Sequence, residues 1–343
     1  MQVATPQWQM LYGGTNITGN LNQHDARVDY YEVIGGKANH LEITLEDASK
    51  AFQNNPPTAG TVVGLSIGYV GASLVNCGNF EVDEWQFNGP PDLFVLRCLQ
   101  AGISQSLRTP KSVAWNNMDL TAIANQIANN YGMTAVVDAV VPNVYYTRLT
   151  QRLESDLGFL HRISNAHNYD FQIRGSQLVF YSRPQLEAAN PVATLAKTDV
   201  NRFRIHKQHV GHRSYKSAKV GYFNPQSKAL VQQLATDPNA TSQDILNIVE
   251  RMENTQQATL RAASHLHTAN MLQIEGEFTI PGTMLFRAGN TMMIQGFGDF
   301  DSVKFIIHKA RHTMTPRGYY TTLTLRNTIV GTLTQIIDDT YLE

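Results

Sequence analysis

Apolar positions in the first third of the chain alternate with polar ones or run in short blocks, at 29–34, 40–45, 61–69, 79–87 and 93–99. Turn clusters at Gly35-Gly36, Asn54-Asn55-Pro56-Pro57 and Asn88-Gly89-Pro90-Pro91 divide the blocks. This period of two, punctuated by Gly, Pro and Asn, predicts strands, with one short helix at 47–53. Near residue 117 the period changes. Leu120, Ile123, Ala124, Ile127, Ala128 and Tyr131 fall on one helical face, with Asn117 placed to cap it and Gly132 to stop it. Strands follow at 133–137 and 143–148.

The stretch 150–181 carries the most information. Glu154-Ser155-Asp156 is a helix start, because the Ser155 or Asp156 oxygen can accept from the free amides of the first turn. Leu157, Leu160 and Ile163 recur at helical spacing beside Phe159, while Arg162 and Asn165 face away. After Asn168 the period drops to two: Tyr169, Phe171 and Ile173 alternate with Asp170, Gln172 and Arg174, and Gly175-Ser176 turns the chain into 177–181.

From about 193 the pattern returns to strands, at 202–208, 217–222, 272–280, 291–295, 303–314 and 319–327. One long helix at 242–270 interrupts them, with Ile245, Val249, Met252, Leu260, Ala263 and Leu266 near one face, Thr241 or Ser242 as cap, and a loop at 237–239 before it. Two apolar patches and the pair Asp338-Asp339 make 329–343 read as an interaction arm. The two β-rich regions share an echo. Ala59-Gly60, Gly68-Tyr69-Val70-Gly71 and Leu96-Arg97 resemble Ala288-Gly289, Gly296-Phe297-Gly298 and Leu325-Arg326, with equal spacing from Gly60 to Arg97 and from Gly289 to Arg326. Taken as a duplication, it gives two copies of one β-barrel-like module.

A length of 343 residues fits about two domains. The net charge of −1 removes any bulk attraction to nucleic acid or anionic membranes. Charged residues are 16% against the usual ~25%, which suits extensive burial between subunits. Cys77 and Cys98 form no C-x-x-C and no disulfide framework, pointing to a reducing compartment. The N-terminal residues show no secretory signal and no apolar run approaches the roughly 18 residues of a membrane span, so assembly in a cytoplasm without membrane insertion is expected.

Candidate chemistry is weak throughout. His206, His209 and His212 recur every third residue near a strand end, which alternates their faces. His265 and His267 on a helix point about 200° apart. His308 and His312 share a strand face at roughly 13 Å, too far for one ion. Glu154 and Asp156 are better explained by helix capping than by glycoside cleavage, and Glu81, Asp83 and Glu84 by a solvated edge. Lys207, His212, Arg213 and Lys216 around Tyr215 make a modest basic cluster, read as an interface or a solvated strand before a nucleic-acid contact. No nucleophile elbow, zinc-protease, Walker or dinucleotide motif occurs. The expectation is a non-enzyme with no catalytic, cofactor-binding or metal-binding residue.

The helix at 120–132 and the segment 150–181 resemble the phage late control protein D family, the baseplate hub proteins of contractile tails. Gln151, Glu154, Ser155, Asp156, Phe159, Leu160 and Arg162 stand at the positions of its Q-x-x-E-S-D-x-x-F-L-x-R motif. LTAIANQIANNYGM resembles the family's helix ending in Tyr-Gly, and Pro281-Gly282, Ala288-Gly289, the turn at 296–301, His312 and Gly318-Tyr319-Tyr320-Thr321-Thr322 also fit. The likeness covers 118–328 well and the N-terminal part by general pattern. It departs at Ile163-Ser164-Asn165-Ala166, where the family continues Leu-Ala.

The resemblance implies a mainly β chain with an α+β insert: a tube-like β-barrel at 1–108, a small α+β domain at 109–190, a second barrel at 191–328 carrying the long helix, and the arm at 329–343. It implies a homotrimer whose six barrel copies adapt a sixfold tail tube to a threefold spike. The expected partners are the central spike protein, the tail tube or its initiator, the tape-measure protein and baseplate wedge proteins, with DNA crossing the lumen transiently. Type VI secretion spike proteins carry a fused needle, so here the needle is expected as a separate partner. The competing readings are a tail-associated peptidoglycan hydrolase, which needs a paired-carboxylate groove, and a receptor-binding β module, which needs exposed aromatic stripes; Trp8, Trp85 and Trp115 are scattered.

Overall fold

The computed structural model describes residues 5–35, 38–102, 105–138, 145–207, 215–224, 228–238, 240, 242–250, 252, 254–329 and 333–337. The chain is mostly β. Its largest element is a 13-stranded sheet built from both β-rich regions. In the N-terminal half the neighbours run Arg27–Val33, His40–Glu46, Leu93–Gln100, Val75–Asn88, Val62–Tyr69, Pro6–Tyr12. In the C-terminal half they run Arg202–Lys207, Ile274–Pro281, Gly318–Asn327, Phe305–Thr315, Thr291–Gln295, Thr194–Ala196. The strand order is the same, except that the last strand joins antiparallel in the first half and parallel in the second.

The likeness extends to single hydrogen bonds. Gly60 N donates to Val82 O at 2.8 Å and Val82 N returns to Thr61 O at 3.0 Å; Gly289 N donates to Ile307 O at 2.9 Å and Ile307 N returns to Asn290 O at 2.9 Å. Both glycines have positive φ, +78° and +92°, a conformation that side chains resist. Each long strand then bulges by one residue at the same place, between Val82 and Glu84 and between Ile307 and Lys309. Those bulges put Cys98 in the place of Leu325. Leu96-Arg97 therefore corresponds to Leu323-Thr324, two residues from the match read in sequence. A shift of two preserves the face, which is why the sequence echo survived it.

Among the described residues neither half closes on itself as a barrel through hydrogen bonds within the chain. The halves instead join edge to edge, Lys309–Met314 pairing antiparallel with Val33–Val28, so that both belong to one open sheet. Each keeps its own core, around Leu41, Leu65, Phe80 and Phe94 in the first and around Phe278, Met292, Phe305 and Leu323 in the second.

Between them lies an α+β unit with a separate core. Lys111–Asp119 pairs with Tyr145–Glu154, and Gln177–Ser182 lies between Tyr169–Arg174 and the parallel Thr134–Val137. The helix Leu120–Asn130 is capped by Asp119, whose carboxylate accepts from Ala122 N, and not by Asn117, which lies within the strand Lys111–Asp119 at φ +52°. Of the two candidates Ser155 and Asp156, it is Ser155 that caps Asp156–Ala166, accepting from Gly158 N.

The long helix predicted at 242–270 is shorter. It spans Thr255–Asn270, capped by Asn254, while Ile245–Ile248 is a strand parallel to Ser217–Val220. The β-branched Ile245 and Ile248 fit a pleated edge, and Val249 is 99% exposed, so it marks no helical face. Helix and strands form a lobe inserted between Arg202–Lys207 and Ile274–Pro281, where the first half has a short connection. Leu333–Ile337, from the segment read as an arm, pairs with Ala229–Thr236 of the same chain. Asp338, Asp339, His209, His212, Arg213 and Asn239 lie outside the described residues.

Candidate functional site

The family motif forms a hydrogen-bonded joint inside the α+β unit. Asp156 is fully buried and accepts from Lys111 Nζ at 2.6 Å, Tyr131 Oη at 2.6 Å and Gln151 Nε2 at 2.9 Å. It ties two strands, through Lys111 and Gln151, and the end of the helix Leu120–Asn130, through Tyr131, to its own helix instead of capping one helix. Gln151 Oε1 accepts from Trp115 Nε1 at 3.3 Å, and the Trp115 ring stacks on Phe159. Arg162 reaches back to Glu154 at 2.9 Å and lies over the Phe159 ring. Gln151, Glu154, Asp156 and Arg162 tie the helix to the strand before it, while Ser155 caps the helix and Phe159 and Leu160 are buried in the core of the unit.

A second polar constellation lies where the two halves meet. Asp29, 1% exposed, accepts from Arg311 Nε at 2.9 Å, Thr313 Oγ1 at 2.5 Å and Arg27 Nε at 2.7 Å. Glu32 accepts from Arg287, Tyr30 and the Ala288 amide. Burial alone would raise both carboxyl pKa values, but the arginine contacts outweigh it and hold both below the usual range. His312 stacks on Tyr30 and pairs through Nδ1 with Tyr319 Oη at 2.9 Å; burial pulls its pKa down to about 4. Apart from His312, sequence reading did not single out this cluster, because partners such as Asp29 and Arg311 lie 282 positions apart.

Among the described residues the remaining histidines do not converge on an ion. The bulge after Ile307 breaks the strand alternation, so His308 and His312 do not share a face as expected: His308 lines a cavity of about 500 Å³ while His312 is buried at the seam. His267 pairs with Glu187 at 2.6 Å and His265 with Glu250 at 3.1 Å on the walls of that cavity or beside it. Arg183–Asp170 at 2.9 Å and Arg261–Glu250 at 2.5 Å are also there. Of these four pairs only His267–Glu187 couples the lobe to the α+β unit; Arg183–Asp170 lies within the α+β unit and the two pairs of Glu250 within the lobe. Glu84 pairs with Arg97 at 3.6 Å and Asp83 with Arg108 at 3.9 Å along their strand edge. Among the described residues no group of three or more His, Cys, Asp or Glu is placed to hold a metal, and no helix is long and apolar enough to cross a membrane.

The chain and its fold have counterparts among known proteins. No family model matches the chain. The probable baseplate hub protein of Escherichia phage P2 is 28% identical over 202 residues, covering 58% of this chain and 52% of the relative. Its counterpart in Escherichia phage 186 is 25% identical over 204 residues, with the same coverage. The chain is a relative of phage baseplate hub proteins. It spans about half the length of the curated relatives it matches, 52% of each. The 43 kDa tail protein of prophage MuSo2 from Shewanella oneidensis has the same fold, with a TM-score of 0.70 over 94% of this chain and 98% of that one at 14% identity. An E. coli type VI secretion component, described as structurally similar to bacteriophage T4 tail proteins, aligns with a TM-score of 0.55 over 88% of this chain and 73% of its own at 12% identity. The sequence resemblance to baseplate hub proteins is thus met both by relatives and by fold.

Proposed function

We propose that this chain is a structural baseplate hub of a contractile tail or tailocin, acting without catalysis. It assembles as a homotrimer in the virion tail. Two equivalent half-sheets per chain make six copies in three chains, which matches a sixfold tube on one side to a threefold spike on the other. The observation that carries this reading is the repeated strand order with its shared bulge and glycine turn. Nothing but duplication requires two halves of one chain to share both. In this reading the two copies stand for the tail-tube-like modules that the sequence resemblance implies, and full closure of their edges comes from neighbouring subunits.

The partners in this reading are the central spike protein, the tail tube or its initiator, the tape-measure protein and the wedge proteins, with DNA passing only transiently. Light scattering of the purified chain is expected to give three chain masses, and co-purification with the spike protein a stable complex. A chain that stays monomeric and binds no spike protein overturns the proposal.

A further inference from the structure

The seam that joins the two halves has an unfilled equivalent. In the first half, Arg27–Val33 has His40–Glu46 on one side and residues 309–314 on the other. Its equivalent in the second half, Arg202–Lys207, has Ile274–Pro281 on one side and no strand on the other among the described residues. The complementary surface is open too. Residues 84–88, equivalent to 309–313 by the shared bulge, pair with Leu93–Gln100 on one edge, while Val62–Tyr69 reaches only to Glu81 on the other. Each chain therefore carries one closed seam and the two separated halves of a second.

The side chains at these open edges fit that role. In the closed seam Ala310 lies opposite Glu32, His312 opposite Tyr30 and Met314 opposite Val28. His312 and Ala310 have no exposed surface, and Tyr30 and Val28 are 1% exposed. Transferring the register places Trp85 opposite Lys207, Phe87 opposite Ile205, and Gly89 opposite Phe203. Here the aromatic groups are open, Trp85 at 42%, Phe87 at 37% and Phe203 at 44%. An unpaired edge with large apolar groups beside it is a surface that proteins ordinarily cover.

We propose that Arg202–Lys207 of one chain pairs antiparallel with residues 84–88 of a second copy, repeating between chains the seam that each chain makes within itself. The contact is heterologous, each chain giving a different edge, so it closes into a ring when the rotation permits. The ring size of three rests on the hub reading above; the register does not.

Two variants test it. With Phe87→Cys and Ile205→Cys in one chain, mild oxidation is expected to link subunits, since directly opposed strand residues sit within disulfide reach. Cys77 and Cys98 are buried and do not compete. The pair Trp85→Cys with Phe203→Cys, displaced by four residues or about 13 Å, is expected to give no link. Separately, Phe203→Asp is expected to convert the oligomer to a folded monomer by light scattering, with circular dichroism unchanged. An oligomer that neither cross-links at 87–205 nor responds to Phe203→Asp overturns the seam and leaves the hub reading intact. A wild-type chain that is monomeric at all concentrations overturns both. Assembly that needs another baseplate protein and lacks the 87–205 link gives these edges to a different occupant and also overturns the seam.

Discussion

Asp156 has three donors and no exposed surface, so its removal leaves Gln151, Tyr131 and Lys111 facing an empty site. Asp156→Ala is expected to lower the unfolding free energy by about 3 kcal/mol, measured by urea denaturation, as for a broken buried ion pair. An unchanged midpoint would show that water replaces the carboxylate at no cost. The seam predicts a pH dependence. Burial holds His312 at the seam, and His167 at the end of the helix Asp156–Ala166 in the α+β unit, down to about 4, below the roughly 6.5 of an unfolded imidazole. Between those values the unfolded chain binds protons that the fold does not, so stability falls as pH drops from about 6.5 toward 4. Asp29 and Glu32, with lowered values, contribute stability that is present at neutral pH and lost as pH falls through their depressed values. The urea midpoint is therefore expected to decline steadily below neutrality, and His312→Gln to flatten that decline. At this scale the sequence identified the motif residues but misread Asp156, because an acid at a helix start looks the same whether it faces water or is buried against Lys111, Tyr131 and Gln151.

Most elements were legible from their periods, and the failures have local causes. The apolar residues 245–252 fit a helical stripe by spacing, yet the chain enters the helix only at Asn254, whose side chain accepts from Gln257 N. Short apolar runs do not distinguish helix from strand by period alone. The bulges at 83 and 308 were invisible for a related reason: one skipped residue reverses the faces beyond it without altering composition. The loop after Ile274–Pro281 carries a sharper constraint. A Cβ on Gly282 would lie 2.0 Å from the Tyr319 ring, while its carbonyl accepts from Tyr69 Oη at 2.7 Å across the two halves. Gly282→Ala is expected to cost about 2 kcal/mol through overpacking, read as a lowered thermal midpoint. A wild-type midpoint would mean that Tyr319 moves aside freely.

Over the whole molecule the duplication organises everything else. Two six-strand paths with one internal seam give a chain that is self-similar and, among the described residues, open along Arg202–Lys207 and along residues 84–88. The three chain masses expected in solution, and the 87–205 cross-link between copies, are consequences at this scale. The sequence alone determined the strand and helix periods, the Ser155 cap, the motif and the paired glycines Gly60 and Gly289, since each is a local demand on backbone or face. Only the tertiary structure decided which edges meet, that Asp29 and Glu32 are buried beneath arginines from the other half, and that Trp85, Phe87 and Phe203 are left uncovered. Local patterning fixes which face of a strand is apolar, but not which distant strand lies beside it. That choice depends on contacts such as Arg311 with Asp29, 282 residues apart, which exist only once the chain has folded.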